Sequence, residues 1–201
     1  MTTTWGNLAR SHGRKSVMSL TIDDATLDLD TDKQIDALMP MIRPLLDGDE
    51  ANVLDFGCGA GRFTGMLQTL TGGCVIGFDP CAELVDAAPA MEMVSYTTGD
   101  TDAFFMTHEC RFDVVFVAFV LGDPGVDCEA VAAGVVRCLK PGGLLILLDH
   151  MPYVEPQGRW WRFRSSAAYT LLFRDVGVDL HWLGNGVQLD NATTLLAGRK
   201  S

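Results

Sequence analysis

A chain of 201 residues, 48% hydrophobic and 20% charged, suits one domain with a sizeable core. Its formal net charge of −11 repels phosphate backbones, and with no long Lys/Arg run it argues against nucleic acid as a partner. The longest apolar stretches, such as 114–121, are too short to span a bilayer, and the six cysteines form no C-x-x-C pair, which removes the common zinc and thioredoxin spacings.

The first residues, MTTTWGNLARSHGRKS, lack the apolar core of a signal peptide, and several cysteines lie inside apolar runs. Both set the expectation of a reduced, cytoplasmic protein. Residues 1–30 are the least patterned. Asp30 or Thr31 opens a predicted helix to about residue 46, with Ile35, Leu38, Ile42 and Leu45 on one face. Pro40 and Pro44 predict a kink or a split in it.

Strands and helices then alternate. A short apolar strand is predicted over 53–56, and a helix over 62–70 that Gly72 and Gly73 stop. The next strand covers 74–78. Asp79 followed by Pro80 reads as a cap and first turn, opening a helix through Ala88. A weak strand follows over 93–97, and a strong one, apolar on both faces, over 112–120. Residues 130–139 carry helical core spacing at Val131, Val135 and Leu139, ended by Pro141-Gly142-Gly143, before another strand over 144–148. The tail offers a helix ending over 169–173 and strands over 178–183 and 193–197, around the turn signals Asn185-Gly186 and Asp190-Asn191. This order implies an α/β, Rossmann-like, doubly wound parallel sheet with helices on both faces and an antiparallel edge added by the tail.

Gly57, Gly59 and Gly61 follow the first strand directly, at the carboxyl end where open α/β sheets bind ligands. Glycine permits close approach of a ligand to the main chain. A dinucleotide fingerprint would place its third glycine at Arg62, and its pyrophosphate would meet the charge of Asp55. A ligand with a cationic amine suits Asp55 better. Asp79, 18 residues after Gly61, can accept two hydrogen bonds from a ribose diol. Asp100 follows the third strand and can accept one from an exocyclic amino group. Ribose, base and amine without phosphate describe an adenosyl amino acid. Plainer readings stand beside these: a tight turn for the glycines, a helix cap for Asp79, a loop acid for Asp100. Cys58 reads as a small residue fitted to the turn rather than a nucleophile.

The sequence resembles the class I S-adenosylmethionine-dependent methyltransferases in VLDFGCGAG at 53–61, VIGFDP at 75–80, TTGD at 97–100, FDVVFVAFVL at 112–121 and LKPGGLLILLD at 139–149. The resemblance covers roughly residues 50–150 in the family's order. It implies a seven-stranded sheet with an antiparallel last strand, in one domain over 1–201. Within it, 1–48 would form an N-terminal cap or lid and the first helix. Residues 49–150 would form the cofactor-binding core, and 151–201 the acceptor-side segment and last strands. It also implies S-adenosylmethionine as cofactor, leaving as S-adenosylhomocysteine. Asp55, with Cys58 and the backbone of Gly57, Gly59 and Gly61, would hold the methionine part. Asp79 with the adjoining Pro80 would bind the ribose, Asp100 and Thr101 would flank the adenine, and Ala118 and Phe119 would floor the sulfonium.

Methyl transfer from a sulfonium is an in-line displacement that needs alignment more than a catalytic group. His150, at the carboxyl end of a core strand, is the candidate base, or else a histidine hydrogen-bonded to a neighbouring loop. His181 reads as structural, His108 as solvated, and His12 as part of the N-terminal segment. GRWWRFRSSAAY, 158–169, sets Arg159, Arg162 and Arg164 among Trp160, Trp161 and Phe163. Either these arginines grip an acidic small acceptor, or the segment is an amphipathic helix with Trp inward and Arg outward. Trp5, near Arg10, Arg14 and Lys15, either closes the site or belongs to a loose arm. The stretch AFVLGDP lacks the Asn/Asp-Pro-Pro-Tyr/Phe signature for planar nitrogens, no carboxylate cluster suggests magnesium, and no recognition domain is added. The expectation is O- or N-methylation of a small molecule, without a metal and away from membranes. Two alternatives stay open: a methyltransferase-like module that binds cofactor without turnover and scaffolds a partner, and a nicotinamide-dependent oxidoreductase, against which Arg62 and Asp55 argue.

Overall fold

Four apolar runs pair side by side and are buried on both faces, as parallel strands covered by helices must be. In this computed structural model, which describes residues 4–17, 20–21, 23–152, 161–185 and 193–201, they are β1 (Asn52–Phe56), β2 (Cys74–Phe78), β4 (Phe112–Ala118) and β5 (Leu139–His150). With β3 (Val94–Thr97), β6 (His181–Asn185) and β7 (Thr193–Arg199) they form a seven-stranded sheet in the order β3-β2-β1-β4-β5-β7-β6. The first five strands are mutually parallel. β7 runs antiparallel to both β5 and β6.

The last strand is thus antiparallel, as expected, but it lies one place inside the edge. β7 is buried along TTLLAG, whereas β6 exposes His181 and has Trp182 60% accessible. The apolar strand takes the covered position and the amphipathic one takes the edge.

Helices α1 (Thr4–His12), α2 (Asp24–Ile42), α3 (Thr64–Thr71), α4 (Ala82–Val85), α5 (Thr101–Thr107), α6 (Cys128–Cys138) and α7 (Ser166–Arg174) complete the described structure. Successive strand residues point to opposite faces. Val115 and Val117 of β4 therefore join one core with Phe104, Phe105, Val135, Tyr169 and Phe173. Val114 and Phe116 join the other with Leu38, Ile42, Phe63 and Leu67.

β5 opens at Leu139 rather than 144 and takes in Pro141-Gly142-Gly143, and β6 covers His181–Asn185 rather than 178–183. Three further boundaries differ from expectation for local reasons. α2 begins at Asp24 because Asp23, not Asp30, is the cap: its side chain accepts from Thr26 N at 2.8 Å, and the added turn buries Leu27. Pro40 lies inside α2 and Pro44 in the 3-10 turn after it. α3 starts at Thr64, since residues 57–63 form the turn. Asp79 does not cap a helix: the N-cap of α4 is Cys81, and α4 ends at Val85 rather than reaching Ala88.

Candidate active site

The turn after β1 is built on left-handed backbone, with φ 74° at Gly57, 54° at Gly59 and 79° at Gly61. Gly57 N and Cys58 N both donate to Phe78 O at the end of β2, at 2.7 and 3.0 Å. The carboxylate of Asp79 completes the tie: Oδ2 accepts from Gly59 N at 3.0 Å and Oδ1 from Cys81 N at 2.8 Å. Burial raises the Asp79 pKa above the ordinary carboxylate value, and these two N–H donors oppose the rise.

Asp55 lies beneath the turn, 2% exposed, with Oδ2 accepting from the Thr64 hydroxyl at 2.6 Å. Burial pushes its pKa up to about 7; the Thr64 hydrogen bond holds it back, and the charge of Asp79 adds to the rise. Two carboxylates thus face one glycine turn, a field suited to a cationic group. Cys58 is buried, and burial with the charges of Asp55 and Asp79 drives its thiol pKa well upward. A buried thiol held protonated in this way is poorly suited to nucleophilic attack. Thr64→Val should remove the hydroxyl donor from a buried carboxylate and cost about 1–3 kcal/mol at pH 8. Urea unfolding at pH 8 and pH 5 checks this: the loss should shrink at pH 5, where the carboxyl holds a proton.

Asp100 ends the connection from β3 and caps α5, with Oδ1 accepting from Ala103 N at 2.9 Å; Thr101 is the first residue of that helix. Asp100 and Pro80 are exposed. Ala118 ends β4, and Phe119 follows in a left-handed conformation, φ 55°, with its N–H on Leu148 O at 2.9 Å. β3, β2, β1 and β4 are neighbours in that order. Asp100, Asp79, the glycine turn and Phe119 therefore stand in a row along one sheet edge.

His150 ends β5. Its Nδ1 lies 3.3 Å from Thr193 Oγ1, and its ring is 4.9 Å from Phe119, 6.3 Å from Trp161 and 6.4 Å from Phe163. Asp149 is fully buried behind it and accepts from His150 N at 2.7 Å and from the Tyr169 hydroxyl at 2.9 Å. Burial pushes Asp149 up to about 7 despite those donors.

Residues 161–165 precede α7 and are not helical, so the amphipathic-helix reading fails there. Trp161 packs on Gly122, where an added Cβ would come within 1.9 Å of the ring. Arg164 donates to Leu121 O at 2.7 Å, and Arg162 is exposed while its backbone N–H reaches Gly122 O at 2.6 Å. Arg159 and Trp160 lie outside the described residues.

Trp5 donates its indole N–H to Asp123, Arg10 pairs with Glu83, and Ala9 packs with Cys81 and Leu84. Asp123 follows β4 and Glu83 follows β2, the two strands flanking β1. Residues 5 and 10 of a helix are separated by a rise of about 7.5 Å. Two strand spacings come to about 10 Å. α1 thus bridges the segments that follow β4 and β2, on either side of β1. His12 and His181 are exposed, whereas His108, expected to be solvated, stacks on Phe104 at 4.1 Å and bonds Phe104 O through Nδ1.

The residues that sequence reasoning passed over are Thr64, Arg62, Asp123 and Tyr169. Only Arg62 carried a signal, as the break in the dinucleotide pattern. An acidic group of Asp47, Asp49 and Glu50 lies before the amino end of β1, at the opposite edge.

Residues 53–143 match the model of a family described as a methyltransferase domain. No curated protein matches the chain in sequence. The DhpI complex with SAH superposes with a TM-score of 0.69 at 21% identity, covering 98% of this chain and 96% of that one. DesVI of Streptomyces venezuelae gives 0.70 at 16% identity, covering 90% and 99%. SAM-bound CalS10, an amino pentose methyltransferase from Micromonospora echinaspora, gives 0.68 at 19% identity, covering 85% and 91%. At such identities the likeness is one of fold. Among the described residues no helix is long and apolar enough to cross a membrane. The family match over residues 53–143 and the fold are both consistent with a class I S-adenosylmethionine-dependent methyltransferase.

Proposed function

We propose that the chain transfers the methyl group of S-adenosylmethionine to an oxygen or nitrogen of a small molecule held beside His150. The observation that carries this reading is the continuous edge from Asp100 through Asp79 and the glycine turn to Phe119, with α1 bridging the segments after β4 and β2 and the aromatic surround of His150 next to it. The cofactor fits these residues. The glycines hold a left-handed turn, packed by Val120 and Tyr96, beside two carboxylates that suit the cofactor's cationic end. When bound, it supplies an electrophilic methyl with its own leaving group.

The chain then has three tasks. Asp79 holds the ribose hydroxyls: each of its oxygens accepts one backbone N–H and keeps a lone pair for another donor. Asp100 keeps the same capacity for the adenine amino group, with Thr101 beside it. The backbone of Ala118 and Phe119 borders the reacting end. α1, fastened at Trp5 and Arg10, excludes water, which strengthens every polar contact beneath it. His150 takes the proton from a hydroxyl acceptor, with Thr193 fixing the ring orientation. Trp5, Trp161 and Phe163 offer apolar walls, and the exposed Arg162 lies in the segment that would meet an acidic group. Arg164, engaged with Leu121 O, supports that wall rather than gripping a ligand. The amino pentose acceptor of CalS10 lends weight to a small acceptor.

Isothermal titration with S-adenosylmethionine and S-adenosylhomocysteine, beside Asp79→Ala, tests the cofactor reading. Saturable binding is expected, weakened at least about tenfold in the variant. No binding by the intact protein would remove the assignment. Binding without turnover over a broad panel of hydroxyl and amine acceptors would leave the non-catalytic module.

A further inference from the structure

Arg62 is the one arginine of the turn region, and its surroundings differ from those of the ion-paired arginines. Arg10 meets Glu83, Arg14 meets Asp24 and Asp28, and Arg199 meets Asp47. The Arg62 guanidinium instead lies 4.8 Å from the Phe63 ring centroid and 5.8 Å from that of Phe119. Its Nε donates to Thr31 Oγ1 at 3.2 Å and its Nη2 to Gln34 Oε1, both on α2. Gln34 is itself buried, 5% exposed. No carboxylate lies within ion-pair distance of Arg62 among the described residues, although the chain has 26 acids. Asp30, the nearest acid that acts on it, pairs with Lys33 at 3.3 Å.

A guanidinium has five N–H donors in one plane. Thr31 and Gln34 take two, and Nη1 has no hydrogen-bond partner among the described residues. A half-buried cation without a counterion is costly unless something supplies one. Burial lowers its pKa to about 10, so the group stays charged at neutral pH. The neutral acceptors on one side and the aromatic rings on the other fix the fork without neutralising it.

The placement is specific. Arg62 follows Gly61 directly, and the Phe119 ring it touches is the ring that meets His150. The fork therefore borders both the methionine end and the acceptor side of the proposed site. We propose that Arg62 is a carboxylate anchor, its free N–H face taking a carboxylate either from the amino-acid end of the cofactor or from the acceptor. With Asp55 and Asp79 at the same glycine turn, the first source would offer an amino-acid zwitterion a partner of opposite charge for each end. The inference rests on the methyltransfer reading above.

The test compares wild type, Arg62→Gln and Arg62→Lys, with thermal melts to confirm folding. Titrations use S-adenosylhomocysteine, 5′-methylthioadenosine, which lacks the amino-acid end, and benzoate with and without S-adenosylhomocysteine. If the cofactor supplies the carboxylate, Arg62→Gln weakens S-adenosylhomocysteine by about 10- to 100-fold and leaves methylthioadenosine unchanged. If the acceptor supplies it, both adenosyl ligands bind as in wild type and benzoate binding is lost. Arg62→Lys, which keeps charge but not the planar fork, falls between in either case. Folded variants that bind all three probes like wild type would overturn the inference. Failure of wild type to bind either adenosyl ligand would sink the cofactor reading instead, and the benzoate titration would still decide the role of Arg62.

Discussion

Gly57→Ala is expected to lose about 2–5 kcal/mol of unfolding free energy, and cofactor binding with it. Two effects add. Gly57 has φ 74°, a conformation that costs an L-residue roughly 1–2 kcal/mol. A Cβ there would also come within 2.2 Å of Val120 Cγ2, and forcing a methyl into packed space costs about 1–3 kcal/mol. The turn cannot relax freely, because Gly57 N–H is held to Phe78 O at 2.7 Å. Against a total stability of about 5–15 kcal/mol for a domain, this is a large share. Gly72→Ala separates the two effects: its φ is 67°, yet nothing lies within 4 Å of its added Cβ. It should lose only the backbone part. Urea unfolding of both variants measures the difference, and equal losses would mean that Val120 yields and the turn is not tightly packed.

The strands were legible because burial on two faces forces uninterrupted apolar runs, as in FDVVFVA of β4. The glycine turn was legible because its backbone excludes other residues. Strand order at the tail was not. TTLLAG pairs both with neighbouring HWLGN and with β5 far along the chain, and only the relative burial of the two strands decides which takes the edge. The start of α2 is expected from sequence at Asp30 or Thr31, and the Asp23 cap, which adds the turn that buries Leu27, has no distinguishing local signal. Asp79-Pro80 carried a valid cap signal that lost to a stronger demand, the two N–H groups of Gly59 and Cys81.

The site divides in the same way. The acids at strand ends announce themselves, since charge at the end of an apolar run is conspicuous. Their partners do not. Thr64 is ordinary in sequence and gains its role only by facing Asp55. Tyr169 meets Asp149 across 20 residues of chain, and Arg62 is framed by α2 and the end of β4. Such partnerships belong to the fold, and no local pattern encodes them.

Asp149→Asn should become more stable than wild type as pH rises, by up to about 4 kcal/mol at pH 8. The Asp149 carboxyl is carried from its ordinary 3.8 to about 7, chiefly by burial. The folded chain therefore holds this proton more tightly than the unfolded chain. The associated stability is present in full below about pH 4 and is lost as pH rises through 7. Asparagine resembles the protonated acid: its carbonyl can accept from His150 N, and its amide can donate to the Tyr169 oxygen. Wild type and variant should thus be close near pH 4 and diverge upward. Asp55 titrates over the same range in both proteins and cancels in the difference. Urea unfolding at pH 5, 6, 7 and 8 gives the curve. A difference that stays flat with pH would mean that the Tyr169 hydroxyl and nearby Arg164 keep Asp149 ionised at its ordinary pKa. A rising difference would mean that the fold keeps an acid directly behind His150 at the expense of its own stability, and methyl-transfer rates of the same variant would then show whether that acid serves the imidazole or only the Tyr169 contact.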